Sequence, residues 1–240
     1  MPRYPRSWTL QPGSSFHKTW KAHNSEWNLK TSLEKQSYLH FLKQEHEKNE
    51  AAKNVLHALC LMSNHSHEVY TLDDLESFSN FMRQHHGRYG MFFNRLHKRR
   101  GKVALDRPHT NAIENQHHHM MVTFYIHANP IRAGICKDAK DYVWSTHMLY
   151  AYGKKSSWMK GLIIHFPQWY LDLGSTWRQR RAKYRKCFDQ YLLDFGLRKQ
   201  KFSCYGVGSY HWVRDRKKNI REMWMKKISN VADPPSVSFS

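Results

Sequence analysis

The sequence of 240 residues predicts an α+β fold, on three observations. Short runs of strand length, apolar or partly alternating between apolar and polar residues, occur in the first half. Stretches with apolar residues at helical spacing lie between and after these runs. Beyond a Gly-Lys-Lys-Ser-Ser linker at 153–157, further helical stretches are rich in Lys and Arg. We therefore expect one domain at 1–152 and a basic, mostly helical extension at 153–240.

The elements of the first half follow from these patterns in chain order. After an arm at 1–13, partial alternation predicts a strand at about 15–23, and helical spacing predicts a surface helix from Leu33 to about Lys48. Residues 54–61 and 65–70 are expected to form two strands joined through 62–64. Asp73-Asp74 favours the start of a helix over about 75–95, because acidic groups are stabilised at the positive end of a helix.

The remaining elements are predicted from helix-breaking residues and from the distribution of charge. A helix over about 113–128 should close at Asn129-Pro130, because a residue before proline is pushed away from the α region. Residues 141–150 should pack back as a short segment before the linker. Beyond it we expect helices over Trp177–Leu193 and Asn219–Ile228, and a frayed tail at 231–240.

The charge of the chain indicates its class of partner. It carries 39 Lys+Arg against 19 Asp+Glu, a formal net charge of +20, so a nucleic acid is the expected partner. Residues 151–240 hold 19 basic and 6 acidic side chains, so the extension is the expected electrostatic clamp. No run reaches the roughly 20 apolar residues of a membrane span, and the start MPRYPRSWTL lacks the apolar core of a signal peptide. These features predict a cytoplasmic protein with no membrane partner.

The first feature of the sequence that could indicate a metal site is the pair His65 and His67. Residues i and i+2 of a strand point to the same face, so both imidazoles could reach one divalent ion. A lone His-x-His pair among 18 histidines is weak evidence for a metal site, and taken alone it is better explained by a half-exposed strand. The run His117-His118-His119 and His127 are not expected to be ligands, because three consecutive helical residues point in different directions.

Four stretches of the sequence resemble a known family. They are Leu56-His-Ala-Leu-Cys-Leu-Met-Ser-Asn-His-Ser-His67, Phe81-Met-Arg83 with Tyr89 and Asn94, Tyr125-Ile-His-Ala-Asn-Pro-Ile-Arg-Ala-Gly-Ile135, and Tyr142-Val-Trp-Ser145. In this order and spacing, over about 15–152, the chain resembles the REP-associated tyrosine transposases of the single-tyrosine HUH class and their insertion-sequence relatives. An HxH motif followed at this distance by YIxxNPxRAG is specific, whereas either half alone is not.

The resemblance implies a fold, an activity and a site. It implies a ferredoxin-like nuclease domain in which an antiparallel sheet presents the histidines and a helix presents the tyrosine. His65 and His67 match the metal-binding pair, and Tyr125 matches the nucleophile. The implied activity is a metal-dependent single-stranded DNA endonuclease and strand transferase, with Mg²⁺ or Mn²⁺ and a 5′-phosphotyrosine intermediate at hairpin-forming repeats.

Further residues of the expected site each carry two interpretations. Asn129 lies one helical turn after Tyr125, so it is either a third ligand of the ion or a cap of the helix. Arg132 could contact phosphate through its planar fork or be solvated. The turn that contains Arg99, Arg100 and Lys102 is either a phosphate contact or a solvated loop.

The HxH motif departs from the family pattern at two positions. Its central residue is usually bulky and hydrophobic, and an apolar residue commonly follows, whereas this chain has Ser66 and Glu68 there. Both belong to the opposite face of the strand. Either that face is partly solvated in this protein, or the site has drifted and its activity is weakened or lost.

Three functions remain open from the sequence. The first is a nickase and strand transferase acting in a bacterial cytoplasm at the nucleoid, as a monomer or homodimer. The second is a non-catalytic protein that keeps the HUH fold and binds DNA hairpins. The third is an RNA-binding module, because basic charge and aromatic stacking suit single-stranded RNA as well.

Overall fold

A four-stranded antiparallel sheet forms the centre of the protein, which is described here by a computed structural model for residues 4–23, 26–48, 54–196, 198 and 202–232. The strands are β1 (Ser15–Lys21), β2 (Val55–Leu61), β3 (His65–Thr71) and β4 (His109–Ala112). Their order in the sheet is β2-β3-β1-β4, and every pair is antiparallel. With one helix between β1 and β2 and another between β3 and β4, this is the ferredoxin-like arrangement, and the predicted α+β fold is confirmed.

The helices are distributed along the whole chain. The first half contains α1 (Arg6–Thr9), α2 (Ser32–Lys48), α3 (Leu75–Leu96) and α4 (Gln116–Arg132). The second half contains α5 (His147–Tyr152), α6 (Gln168–Leu171), α7 (Trp177–Phe195) and α8 (Tyr210–Ala232). Helix α3 begins where the acidic pair predicts it, because the Asp74 side chain accepts a hydrogen bond from the Ser77 amide at 2.6 Å.

One face of the sheet is covered by α2 and α3. Alternate side chains of β1, including Phe16 and Trp20, pack there against Tyr38 and Leu42 of α2 and Phe78 of α3. All five are at most 1% exposed. Helix α2 starts at a capping box, in which the Thr31 and Glu34 side chains accept from each other's backbone amides. This layer leaves the opposite side chains of β1 and β3 for the other face.

Helices α4 to α7 belong to the other face and share one core. Phe124 of α4 contacts Trp169 of α6 and Tyr184 and Phe188 of α7, with ring centroids 5.4–5.8 Å apart. Tyr150 of α5 joins the same cluster. The boundary predicted after residue 152 stays a prediction about folding units, but α6 and α7 beyond it help to build the core that holds α4 in place.

The predicted end of α4 is wrong. The helix runs through Asn129-Pro130 to Arg132, and the Ala133 amide donates to the Asn129 carbonyl at 2.9 Å. Pro130 lies in the last turn, so it removes one amide donor without ending the helix. Strand β4 was not predicted, because its four residues, His-Thr-Asn-Ala, carry little apolar alternation.

The basic C-terminal helix is longer than predicted. Helix α8 spans Tyr210–Ala232, instead of the expected 219–228, and Arg216 anchors it through hydrogen bonds to the Tyr205 and Thr9 carbonyls. The predicted frayed tail includes two residues of this helix, and its remainder, 233–240, lies outside the described residues. Within the described ranges, the helices are too short or too polar to cross a bilayer.

Ser66 and Glu68 are fully buried, so the expectation of a partly solvated face is wrong. Glu68 accepts from Lys18 Nζ at 2.7 Å and from the hydroxyls of Tyr38 and Tyr70, each at 2.8 Å. Ser66 donates to the same carboxylate at 2.9 Å. Burial acts to raise the pKa of Glu68, but Lys18 outweighs it and holds that pKa at about 2. The two polar residues are therefore accommodated by a buried cation and by tyrosine hydroxyls between the sheet and α2.

Candidate active site

The two histidines of the HxH motif lie on the face of β3 that is directed to α4. Their ring centroids are 4.7 Å apart. His65 Nδ1 donates to the Asn64 side-chain oxygen at 2.6 Å, which leaves the lone pair of this ring on Nε2. His67 is 6% exposed, and burial lowers its pKa well below the usual value, so this imidazole is neutral. Two imidazoles on alternate residues of one strand face are the arrangement expected of a cation site.

Helix α4 places Tyr125 beside these histidines. The phenol ring meets the ring of His67 edge-on, with centroids 5.8 Å apart. From Val122 to Pro130 every residue of α4 is buried, because the sheet, α6 and α7 enclose this part of the helix. The orientation of Tyr125 is consequently set by the packing of the whole helix. The structure thus brings together three residues that the sequence predicts for the site.

Arg132 and Phe202 cover the Tyr125 ring. The Arg132 guanidinium carbon lies 4.2 Å from the ring centroid, and the Phe202 ring contacts Tyr125 edge-on at 4.7 Å. Tyr125 is 6% exposed, and burial raises the pKa of its hydroxyl, while the positive charge of Arg132 lowers it. Arg132 is half-buried, and its contact with phosphate stays a prediction.

Asn129 lies inside α4, one turn beyond Tyr125, and is 8% exposed. Its side-chain oxygen accepts from Arg132 at 2.6 Å. Its Nδ2 is buried without a hydrogen-bond partner among the described residues. Because the helix continues past it, Asn129 is not a terminal cap, and its amide oxygen lies on the Tyr125 side of the helix. A ligand role for Asn129 stays a prediction.

Two residues of β1 that no motif identified complete the site. His17 Nε2 lies 2.8 Å from His67 Nδ1, and the Thr19 hydroxyl lies 3.3 Å from the same His67 nitrogen. His17 also contacts the rings of Tyr125 and Phe202. The i, i+2 spacing of His17 and Thr19 in a predicted strand places them on one face, but their pairing with β3 could not be seen in the sequence.

The donors at this site suit a small divalent cation. His65 and His67 offer ring nitrogens, and an amide oxygen such as that of Asn129 can accept from Arg132 and still bind an ion through its second lone pair. Among the residues that the structure describes, no three His, Cys, Asp or Glu side chains converge as ligands. Mg²⁺ and Mn²⁺ complete their shells with water and phosphate oxygens, so a set of this size fits them.

The other predicted residues lie elsewhere. Arg99 forms an ion pair with Glu26 and donates to the Lys102 carbonyl, whereas the side chains of Arg100 and Lys102 are exposed. Their proposed contact with nucleic acid stays a prediction. His127 is buried and bonded to Tyr184 and Thr146, in a structural role.

Comparison with solved structures finds similarity to the REP-associated tyrosine transposase bound to a REP hairpin. The TM-score is 0.53 at 22% sequence identity, and the similarity covers 64% of this chain and 87% of that chain. Comparisons with protein-family models and with curated proteins find no match. At this identity the similarity establishes the fold and not the activity. The resemblance that the motifs predict is therefore confirmed at that level, and the chain has the fold of a REP-associated tyrosine transposase.

Proposed function

We propose that this protein is a metal-dependent endonuclease and strand transferase for single-stranded DNA, with Tyr125 as its nucleophile. One observation carries the proposal: the ring of Tyr125, presented by α4, lies 5.8 Å from that of His67 on β3. A tyrosine and a histidine pair from separate elements lie side by side, as a tyrosine-dependent nuclease requires. The shared fold with a tyrosine transposase adds to this support.

The reaction follows from the chemistry of a phenol and a phosphodiester. The Tyr125 oxygen forms a bond to phosphorus while the bond between phosphorus and the 3′ oxygen breaks. The phenolic proton is balanced by the proton gained on the departing 3′ oxygen. The product is a 5′-phosphotyrosine, which keeps the bond energy and allows a later 3′-hydroxyl to reverse the step and join strands.

The residues around Tyr125 each have a place in this reaction. His65, His67 and Asn129 would hold the cation, which supplies charge neutralisation at the phosphate when bound. The positive charge of Arg132 lowers the pKa of Tyr125, so it would stabilise negative charge on the phenol oxygen, and its planar guanidinium suits a phosphate contact. One guanidinium would serve both roles, because it lies over the ring of Tyr125, whose hydroxyl oxygen is the proposed nucleophile.

DNA with a hairpin is the proposed substrate, and α8 is the proposed clamp on its backbone. Lys217, Lys218 and Arg221 are exposed and recur at helical spacing, so they form one cationic face. Arg216 of α8 donates to the Tyr205 carbonyl, and Tyr205 lies in the same segment as Phe202. A cationic face linked to the site in this way suits phosphate contacts of a strand that enters it.

The burial of Tyr125 favours a second candidate function, a non-catalytic DNA hairpin-binding protein. A nucleophile must reach phosphorus, yet Phe202 and Arg132 leave only 6% of Tyr125 exposed. The raised pKa of its hydroxyl also opposes attack. In this candidate the fold and the cationic helix serve binding alone.

Detection of the covalent adduct separates the two functions. Full-length protein is incubated with Mn²⁺ or Mg²⁺ and labelled single-stranded hairpins drawn from repeats near the gene, and is then resolved on a denaturing gel. The proposed nuclease gives a shifted band that survives boiling and detergent. Tyr125→Phe, His65→Ala and a chelator abolish the band, and His117→Ala, an exposed change in the first turn of α4, retains it.

Tight hairpin binding without any adduct would select the non-catalytic function. Competition with an RNA hairpin of the same sequence completes the test. Preferential binding of the RNA would replace both DNA functions with an RNA-binding role.

A further inference from the structure

His17 occupies a position between His67 and Tyr125 that neither the motif nor the proposed ligand set explains. Its ring is stacked on His67 with centroids 5.0 Å apart and meets Tyr125 edge-on at 6.2 Å. It is 2% exposed, and Phe202 covers another side at 5.4 Å. Its Nδ1 is buried and has no hydrogen-bond partner among the described residues.

The contact between His17 and His67 decides which nitrogen of His67 carries the proton. One hydrogen lies between His17 Nε2 and His67 Nδ1, which are 2.8 Å apart. If His17 donates it, His67 carries its own proton on Nε2 and that nitrogen cannot bind an ion. If His67 donates it, Nε2 of His67 presents a lone pair toward the site. In that case the remaining proton of His17 is on Nδ1, the nitrogen that lacks a partner.

We propose that His17 is a positioning residue that accepts a hydrogen bond from His67 Nδ1 and holds His67 in the tautomer that binds a divalent cation through Nε2. Metal-binding histidines generally donate their second ring N–H to a fixed acceptor, and a neutral imidazole serves here as that acceptor. The inference rests on the proposed metal-dependent function, but it concerns only residues of this chain.

Thr19 is the alternative acceptor and provides an internal comparison. Its hydroxyl lies 3.3 Å from His67 Nδ1 and 3.4 Å from His17 Nε2. These distances are longer than the histidine contact, so Thr19 supports the pair and His17 makes the main bond. Removal of the Thr19 hydroxyl should consequently have the smaller effect.

The first test reads the tautomer directly. Full-length protein with ¹⁵N-labelled histidine is examined by long-range ¹H–¹⁵N correlation at neutral pH without metal. In wild type the His67 proton is expected on Nδ1. His17→Phe keeps the ring bulk and removes the acceptor, so the two His67 tautomers should mix, whereas His17→Gln, with a carbonyl acceptor of similar reach, should restore the wild-type pattern. Thr19→Val should change it little.

The second test measures the Kd of Mn²⁺ by calorimetry on the same variants. His17→Phe should weaken binding about 10- to 100-fold, the usual effect of losing such an outer partner, and His17→Gln should recover most of the loss. His119→Phe, at another buried histidine of the fold, is the matched control and should leave the Kd unchanged.

The outcomes are separable from those of the adduct assay. A His67 proton on Nε2 in wild type, or an unchanged tautomer and Mn²⁺ Kd in a folded His17→Phe protein, would overturn the role of His17. Failure of wild type to form an adduct, with the tautomer and Mn²⁺ effects intact, would remove the nuclease function and leave the role of His17 in place. Circular dichroism and thermal melting establish that each variant is folded.

Discussion

Phe202 packs edge-on against the ring of Tyr125, with the ring centroids 4.7 Å apart and the planes at 73°. The contact joins a residue of the C-terminal extension to the proposed nucleophile of the first half. Asn111 of β4 holds the same segment by donating to the Ser203 carbonyl. The extension therefore contributes to the candidate site, and we expect a DNA strand to reach Tyr125 only when Phe202 is displaced.

Phe202→Ala is expected to speed adduct formation. An aromatic pair of this kind contributes about 0.5–1.5 kcal/mol beyond its buried area, so its loss should raise the rate about 2- to 10-fold. The measurement is the single-turnover rate of adduct formation on denaturing gels at saturating hairpin. Tyr210→Ala, which removes an exposed aromatic residue at the start of α8, is the control. A slower rate in Phe202→Ala would show that this ring holds the substrate instead of covering the nucleophile.

Arg132→Gln is expected to slow the reaction and shift its pH profile upward. Burial raises the pKa of Tyr125 and the Arg132 charge lowers it, so loss of the charge raises that pKa further. The rate should fall on the order of 100-fold, as for other losses of one charge-stabilising donor. Adduct rates across pH 6–10 measure the profile, and ¹³C-labelled tyrosine reports the pKa directly.

Arg132→Lys is the control for this prediction, because it keeps the charge and loses the planar fork. The Tyr125 pKa should stay near its wild-type value while the rate falls. An identical Tyr125 pKa in Arg132→Gln and wild type would contradict the electrostatic role assigned to Arg132.

Glu68→Gln is expected to destabilise the fold by about 3–5 kcal/mol, because Lys18 remains buried without its carboxylate. The double variant Lys18→Met with Glu68→Gln should recover much of the loss, since the buried cation is gone, the amide oxygen still accepts from one of the two tyrosine hydroxyls, and the amide nitrogen can donate to the other. Urea denaturation measures the free energies of unfolding. Equal losses in the single and double variants would mean that the ion pair itself is the stabilising element.

The Glu68 carboxylate should also make the free energy of unfolding depend on pH in the acid range. The pKa of Glu68 is about 2 in the folded protein, below the roughly 4.3 of an unfolded glutamate. Its contribution to stability is present above the unfolded value and is lost as the pH falls toward 2. Urea midpoints between pH 6 and 3 should fall more steeply in wild type than in Lys18→Met/Glu68→Gln. Parallel curves would exclude Glu68 as a source of acid sensitivity.

Removal of three positive charges from α8 is expected to reduce the salt dependence of DNA binding. Replacement of Lys217, Lys218 and Arg221 by Gln should lower the slope of log Kd against log salt by about 2, at roughly 0.7 for each contact to single-stranded DNA. Binding isotherms from 50 to 300 mM salt measure the slope. Replacement of Arg178, Lys183 and Lys186, three exposed cations of α7, is the matched control. Equal changes in both triple variants would exclude a specific clamp on α8.

Local patterns in the sequence determined the elements and the chemical types of the site. The i, i+2 spacing placed His65 and His67 on one face of a strand, Asp73-Asp74 marked the start of α3, and the YIxxNP motif placed Tyr125 and Asn129 one turn apart. These depend on neighbours within a few residues, where backbone periodicity alone decides which side chains share a face. The ferredoxin-like order of the strands was implied by the family resemblance and not by these patterns.

Only the tertiary structure decided what surrounds those residues. The pairing of β1 with β3 brings His17 to His67 and Lys18 to Glu68, and the return of the C-terminal extension brings Phe202 to Tyr125. Strand register and long-range packing are properties of the whole folded chain, so no local pattern predicts them. For the same reason Pro130 did not end α4: burial by the sheet, α6 and α7 outweighed the local preference of the residue before proline.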